Sequence, residues 1–247
     1  MICNRENSGI ARDGADAGGK ALAILYYFYP EDTPLRRMLV RHCEQVREKA
    51  LAILADSGVE LDARLAADGA MLHDIGIGRC DAPKILCEGS EPYIAHGVIG
   101  ARMLREYGAA NGLDLEAFAR ICERHTGSGI TAAEVRAQAL PIPVRDYLPE
   151  TLEEKLVCLA DKFFSKSGDM KEKPLDRIRC SMRKFGPDAA ARCWSCLKSA
   201  AAQGGAQLRA TQNDFASNAK CCVTRRRRSA MIGMCIIRIS GVHHEQD

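Results

Sequence analysis

The chain has 247 residues, enough to bury a sizeable core, with 47% hydrophobic and only 5% aromatic residues. Its net charge of +3 is concentrated in residues 201–247, which carry seven Lys/Arg and three Asp/Glu, so the near-neutral body gives no electrostatic footprint for specific nucleic-acid binding. No run approaches the roughly 20 apolar residues of a membrane span. No signal-peptide pattern precedes the twelve cysteines, whose spacing fits no disulfide framework, so a cytoplasmic protein with reduced, mostly buried thiols is expected.

Taken in chain order, residues 1–20 are polar and Gly-rich and are expected to be disordered, and the apolar run 21–29 ends at Pro30. Thr33-Pro34 opens a helix whose stripe is Leu35, Met38, Leu39, His42, Val46, Ala50 and Ile53, stopped by Ser57-Gly58. A second helix runs from about Glu60 through Leu61, Leu65 and Leu72, with Gly76 as its stop. Residues 77–90 are a loop containing Pro83. Ser90-Glu91-Pro92 opens a third helix with His96, Ile99 and Met103 on one face. Asp114 opens a fourth with Phe118, Ile121, Cys122 and His125.

Residues 126–149, with Pro141, Pro143 and Pro149, are irregular. Thr151-Leu-Glu-Glu154 is a capping box, and the helix behind it carries Leu156, Val157, Ala160, Asp161 and Phe164. A further helix is expected over 174–199. Strand alternation is almost absent, so the fold class is all-α. The expected organisation is a domain over 21–200 and a poorly ordered basic tail over 201–247. Cys193-Trp-Ser-Cys196 lacks the second pair a zinc ribbon needs, and Arg225–Arg228 reads as a solvated run.

Apart from His243 and His244 in the tail, the histidines are His42, His73, His96 and His125, each on a different expected helix and close to its apolar face. Asp74 follows His73, and Asp161 lies among apolar neighbours. A lone histidine on such a face is usually a satisfied core residue. Six buried polar groups in one helical core would each need a separate partner, and a single metal site accounts for all of them. Imidazole and carboxylate suit Fe, Mn, Co, Ni or Zn. Four His and two Asp exceed the needs of one tetrahedral ion and suit two ions sharing a carboxylate.

The ordered set His42, His73-Asp74, His96, His125, Asp161 resembles the HD-domain superfamily of metal-dependent phosphohydrolases, and HDIG at 73–76 resembles its HDIG branch, over about residues 30–170. The resemblance implies an all-α HD-domain bundle with His42, His73, Asp74 and Asp161 on one divalent ion, His96 and His125 on a second, and Asp74 bridging. It implies a small phosphorylated substrate such as a nucleotide, attacked by a metal-activated hydroxide; a homodimer is an open expectation that the residues themselves do not decide.

Arg79, Lys84, Arg124, Lys162 and Lys166 are the cations near these positions. Lys166, flanked by serines, is the strongest candidate for a catalytic role beside Asp74, with Arg79 and Lys84 after it. Ile77 stands where cyclic-dinucleotide phosphodiesterases of this superfamily keep a lysine, and their GYP motif is absent, which argues against a cyclic dinucleotide. Two other readings fit the same six residues: a mixed-valent di-iron oxygenase and a non-catalytic nucleotide sensor.

Overall fold

The computed structural model describes residues 17–57, 59–182 and 191–192, all within the first of two units, Met1–Arg209. Among the described residues the protein is helical, with α1 at Ala17–Phe28, α2 at Pro34–Ser57, α3 at Ala63–Leu72, α4 at His96–Asn111, α5 at Glu116–Arg124, α6 at Ala132–Ala137, α7 at Leu152–Asp161 and α8 at Leu175–Met182. This is the all-α architecture expected from the sequence. The CxxC at 193–196, the basic tail over 201–247 with its Arg225–Arg228 run and, of the helix expected over 174–199, residues 183–190 and 193–199 lie outside the described residues.

Helix α3 is central. From Ala66 to Leu72 every residue is buried, and it packs on α1, α2, α5 and α7. Small side chains at Ala66, Gly69 and Ala70 let those neighbours approach. Its start is fixed by Asp62, whose carboxylate accepts the Leu65 amide at 2.9 Å. Two apolar clusters flank it. Along α2, Leu39 and Cys43 belong to one and Val46 and Ala50 to the other, and His42 lies between them. Five of the six described cysteines are buried, in line with their reading as small core residues.

Several boundaries differ from the sequence reading. Helix α1 was not expected, yet Ala21, Ile24 and Leu25 follow a helical period and are buried, and Pro30 ends the element. Helix α6 lies in the stretch read as irregular; Thr131 and Glu134 form the same reciprocal cap as Thr151 and Glu154. The third helix starts at His96, not at Ser90. Glu91–Pro92 is instead strand β3, beside β1 (Cys80–Ala82), which pairs antiparallel with β2 (Cys87–Glu88). Strands of two or three residues are too short to show alternation, which is why residues 77–90 read as a plain loop.

The HDIG turn also differs in its physical basis. Gly76 has φ −83°, an ordinary right-handed conformation, so it is not a left-handed helix stop. It is glycine because a Cβ there would overlap the His96 carbonyl oxygen and the Gly100 amide nitrogen. The turn is therefore pressed directly against the start of α4. Tyr29 braces its other side, donating its hydroxyl to the Ile75 carbonyl at 2.6 Å and accepting the Gly78 amide at 3.0 Å. We expect Gly76→Ala to cost about 1–3 kcal/mol through overpacking, read as a lower urea midpoint with an unchanged slope. An unchanged midpoint would contradict the close approach.

Candidate metal centre

The six sequence-identified residues come together. His42 lies in the middle of α2, while the others stand at helix ends: His73 just after α3, His96 first in α4, His125 just after α5 and Asp161 last in α7. His42, His73 and Asp74 are fully buried, His96 and His125 nearly so, and Asp161 is buried.

Asp74 is the centre. Its Oδ2 stands 3.2 Å from His42 Nε2 and 3.1 Å from His73 Nε2, and its Oδ1 3.5 Å from His96 Nε2 and 3.3 Å from His125 Nε2. Asp161 Oδ1 closes the first group, 3.1 Å from His42 Nε2 and 3.6 Å from His73 Nε2. Two compact donor groups result, His42/His73/Asp74/Asp161 and Asp74/His96/His125, with Asp74 in both.

The position of each histidine explains its orientation. His73, His96 and His125 each donate Nδ1–H to the carbonyl three residues earlier: Ala70 at 2.6 Å, Tyr93 at 2.6 Å and Cys122 at 2.7 Å. Carbonyls at helix ends have capacity for such a bond. The bond points Nε2 inward, where the neutral ring presents its lone pair to an ion. His42, inside a long helix, has no such carbonyl, and its buried Nδ1 has no partner.

Several of these donor atoms have no hydrogen bond. His96 Nε2 and His125 Nε2 are 3.1 Å apart, lone pair to lone pair. His73 Nε2 and both Asp74 oxygens have no hydrogen bond of good geometry. Buried polar atoms are nearly always paired, so a cluster of orphaned nitrogen and oxygen acceptors fits a divalent metal ion. Burial, with His125 beside it, pushes His96 down to about 3, so it is neutral as a ligand must be. Burial also lowers His125. Burial opposes ionisation of Asp74 as well, but the charges of His73 and Lys166 outweigh it and hold the carboxyl well below its usual range; Asp74 in turn outweighs burial at His73 and raises it, so that ring must give up its proton to bind an ion.

Lys166 joins the cluster, its ammonium 2.7 Å from Asp74 Oδ2 and 3.9 Å from Asp161 Oδ1. Lys162 touches it from outside, bonded to Asp161 Oδ2 at 2.7 Å and to the His125 carbonyl at 3.2 Å. Arg124 turns away, toward Glu150 at 2.8 Å and the Leu148 carbonyl at 3.2 Å. Arg79 and Lys84 are exposed on the turns after HDIG, and the structure does not bring them to Asp74. The sequence reading overlooked Tyr93, whose ring stacks on His96 with centroids 4.6 Å apart. Its spacing from His96 carried no signal while residues 90–95 were read as helix.

A family model for the HD domain matches residues 39–165. An uncharacterized protein of Methanocaldococcus jannaschii is 42% identical over 146 residues, 58% of this chain and 72% of that one. Two proteins named tRNA (cytidine(56)-2'-O)-methyltransferase also match. That of Picrophilus torridus is 41% identical over 52% of this chain and 32% of its own length, and that of Thermoplasma volcanium 34% identical over 69% and 42%. The chain thus spans less than half of either methyltransferase-named relative. No solved structure matches it significantly. With the HD model covering just over half of its length and the donor set at the positions of the HD motif, the chain belongs to the HD-domain family of metal-dependent phosphohydrolases.

Proposed function

We propose that this protein hydrolyses a phosphate ester or anhydride of a nucleotide or another small phosphorylated molecule, using two divalent transition-metal ions. The observation that carries this reading is the fully buried Asp74 carboxylate, with a pair of imidazoles facing each of its oxygens. His42, His73, Asp74 and Asp161 would hold one ion, and Asp74, His96 and His125 the other. When bound, such ions supply Lewis acidity toward a phosphoryl group and lower the pKa of water.

The chain's own residues do the rest. The three Nδ1–H bonds to backbone carbonyls hold the imidazoles in one orientation, so little reorganisation remains when substrate arrives. Lys166 places a buried positive charge beside Asp74, suited to the anionic oxygens of a phosphoryl group, and the carboxylates of Asp74 and Asp161 hold its ammonium there. The apolar surroundings strengthen each of these interactions by excluding water. Arg79 and Lys84 enter this reading only as exposed cations near the HDIG turn, available to outlying phosphates.

The name shared by two relatives has a separate explanation. Methyl transfer to a ribose hydroxyl needs a sulfonium donor site, and most of each of those chains lies outside the matched segment. The hydrolase reading assigns the matched segment its own chemistry.

Metal analysis after anaerobic purification separates the roles of the ligands. Asp74→Ala is expected to remove essentially all bound metal, because both groups lose their shared oxygen donor, whereas His96→Ala should retain about one ion in place of about two. Equal metal contents in Asp74→Ala and the parent would overturn the assignment.

Phosphate release over a panel of nucleotides and dinucleotides, with Mn2+ or Co2+ and without O2, tests the activity. Turnover is expected, to be abolished by chelation. Lys166→Met should lower kcat by about 100-fold with metal content unchanged. No phosphate release with O2 uptake in the iron form would favour an oxygenase, and methyl incorporation into tRNA by this chain would favour the relatives' named activity.

A further inference from the structure

Asp161 presents its two oxygens to different worlds. Oδ1 faces His42 and His73 at 3.1 and 3.6 Å. Oδ2 is taken by the Lys162 ammonium at 2.7 Å, and the same ammonium donates to the His125 carbonyl at 3.2 Å. Lys162 is largely buried, so its charge is not screened away by water, and burial disfavours that charge unless it keeps these partners.

Lys162 stands immediately after the last residue of α7, and Cys158, one turn earlier, also points its thiol at the His125 carbonyl at 3.4 Å. The end of α7 therefore grips both donor groups at once: one through the side chain of Asp161, the other through the backbone of His125. Lys166, by contrast, meets the inward oxygens and touches no backbone of the second group.

We propose that Lys162 is a positioning residue that reserves Asp161 Oδ2, so that Asp161 offers the metal centre only Oδ1. A carboxylate free of such a cap can turn and bind an ion through both oxygens, as carboxylates commonly do. With one oxygen reserved, an ion held by His42, His73, Asp74 and Asp161 would have four protein donors in place of five, leaving more room for water or substrate to join it. The bond to the His125 carbonyl ties that restriction to the second group, so the two halves keep a fixed relation. Lys162 touches no reacting atom in this account and acts through Asp161 and His125.

The inference rests on the metal-site reading above, and its test is chosen to separate the two. Co2+ is titrated into metal-free parent protein, Lys162→Met and Lys162→Gln, and the visible absorption of the bound ion is recorded. That spectrum reports coordination number independently of turnover. Lys162→Met is expected to bind Co2+ at least as tightly as the parent, because a positive neighbour is gone and a second oxygen is freed. Its spectrum should become weaker, as higher coordination requires, and turnover should fall by about 10- to 100-fold.

Lys162→Gln keeps an N–H donor without the charge and should recover the parent spectrum. Should the Met variant fail to fold, Lys162→Ala is read in its place. A spectrum unchanged between parent and a folded variant lacking the donor would overturn the role of Lys162 and leave the metal site standing. Absence of Co2+ binding to the parent would overturn both.

Discussion

The carboxylate of Asp74 is fully exposed to its ligands and fully hidden from water, and a buried charge left without partners costs several kcal/mol. Four imidazole nitrogens and one ammonium surround it within 3.5 Å. Most of the architecture follows from bringing those groups to one carboxylate. Helix α3 must be central and slim to deliver HDIG into the interior. Gly76 must lack a side chain so that the turn can lie on the first turn of α4, where His96 begins. Tyr29, just past the end of α1 and outside the recognisable motif, closes the other side of the turn with two hydrogen bonds.

Helix ends serve the site for a second reason. An imidazole that must present Nε2 needs a place for the proton on Nδ1, and the carbonyls near a helix terminus supply it. Three of the four histidines use this device with the same spacing. His42 is the exception, and its unpartnered Nδ1 marks the one imidazole of the cluster whose tautomer the backbone does not fix. The second layer of cations sorts in the same way. Lys166 faces the inner oxygens, and Lys162 faces the outer oxygen of Asp161 and the backbone of His125, so two lysines four residues apart have different tasks.

The residues of the site were legible because buried imidazole and carboxylate are rare on apolar helix faces, and six in sequence order form a pattern that chance seldom makes. The long helices were legible for a related reason: their periods are long and their caps, Thr33-Pro34 and Thr151 with Glu154, are local. What escaped was short or tertiary. Strands of two residues have no period. Helix α1 is apolar on nearly every side, so its period was weak beside its bulk hydrophobicity. The reason for Gly76 lies in a contact with a helix twenty residues away, which local turn rules do not express. Lys162 meets the His125 carbonyl only once α5 and α7 converge. Arg79 and Lys84 show the converse, since nearness in sequence to HDIG did not bring them to its carboxylate.

Membership of the HD family and the geometry around Asp74 together frame the functional proposal, whose core is that one carboxylate serves two ions. Anomalous diffraction from crystals of the Mn2+- or Co2+-loaded protein, collected on both sides of the metal edge, addresses that directly. The account predicts two peaks flanking Asp74, about 3.5–4 Å apart, one against His42, His73 and Asp161 and the other against His96 and His125. A single peak with Asp74 on one ion alone, or no peak at this cluster, would contradict it.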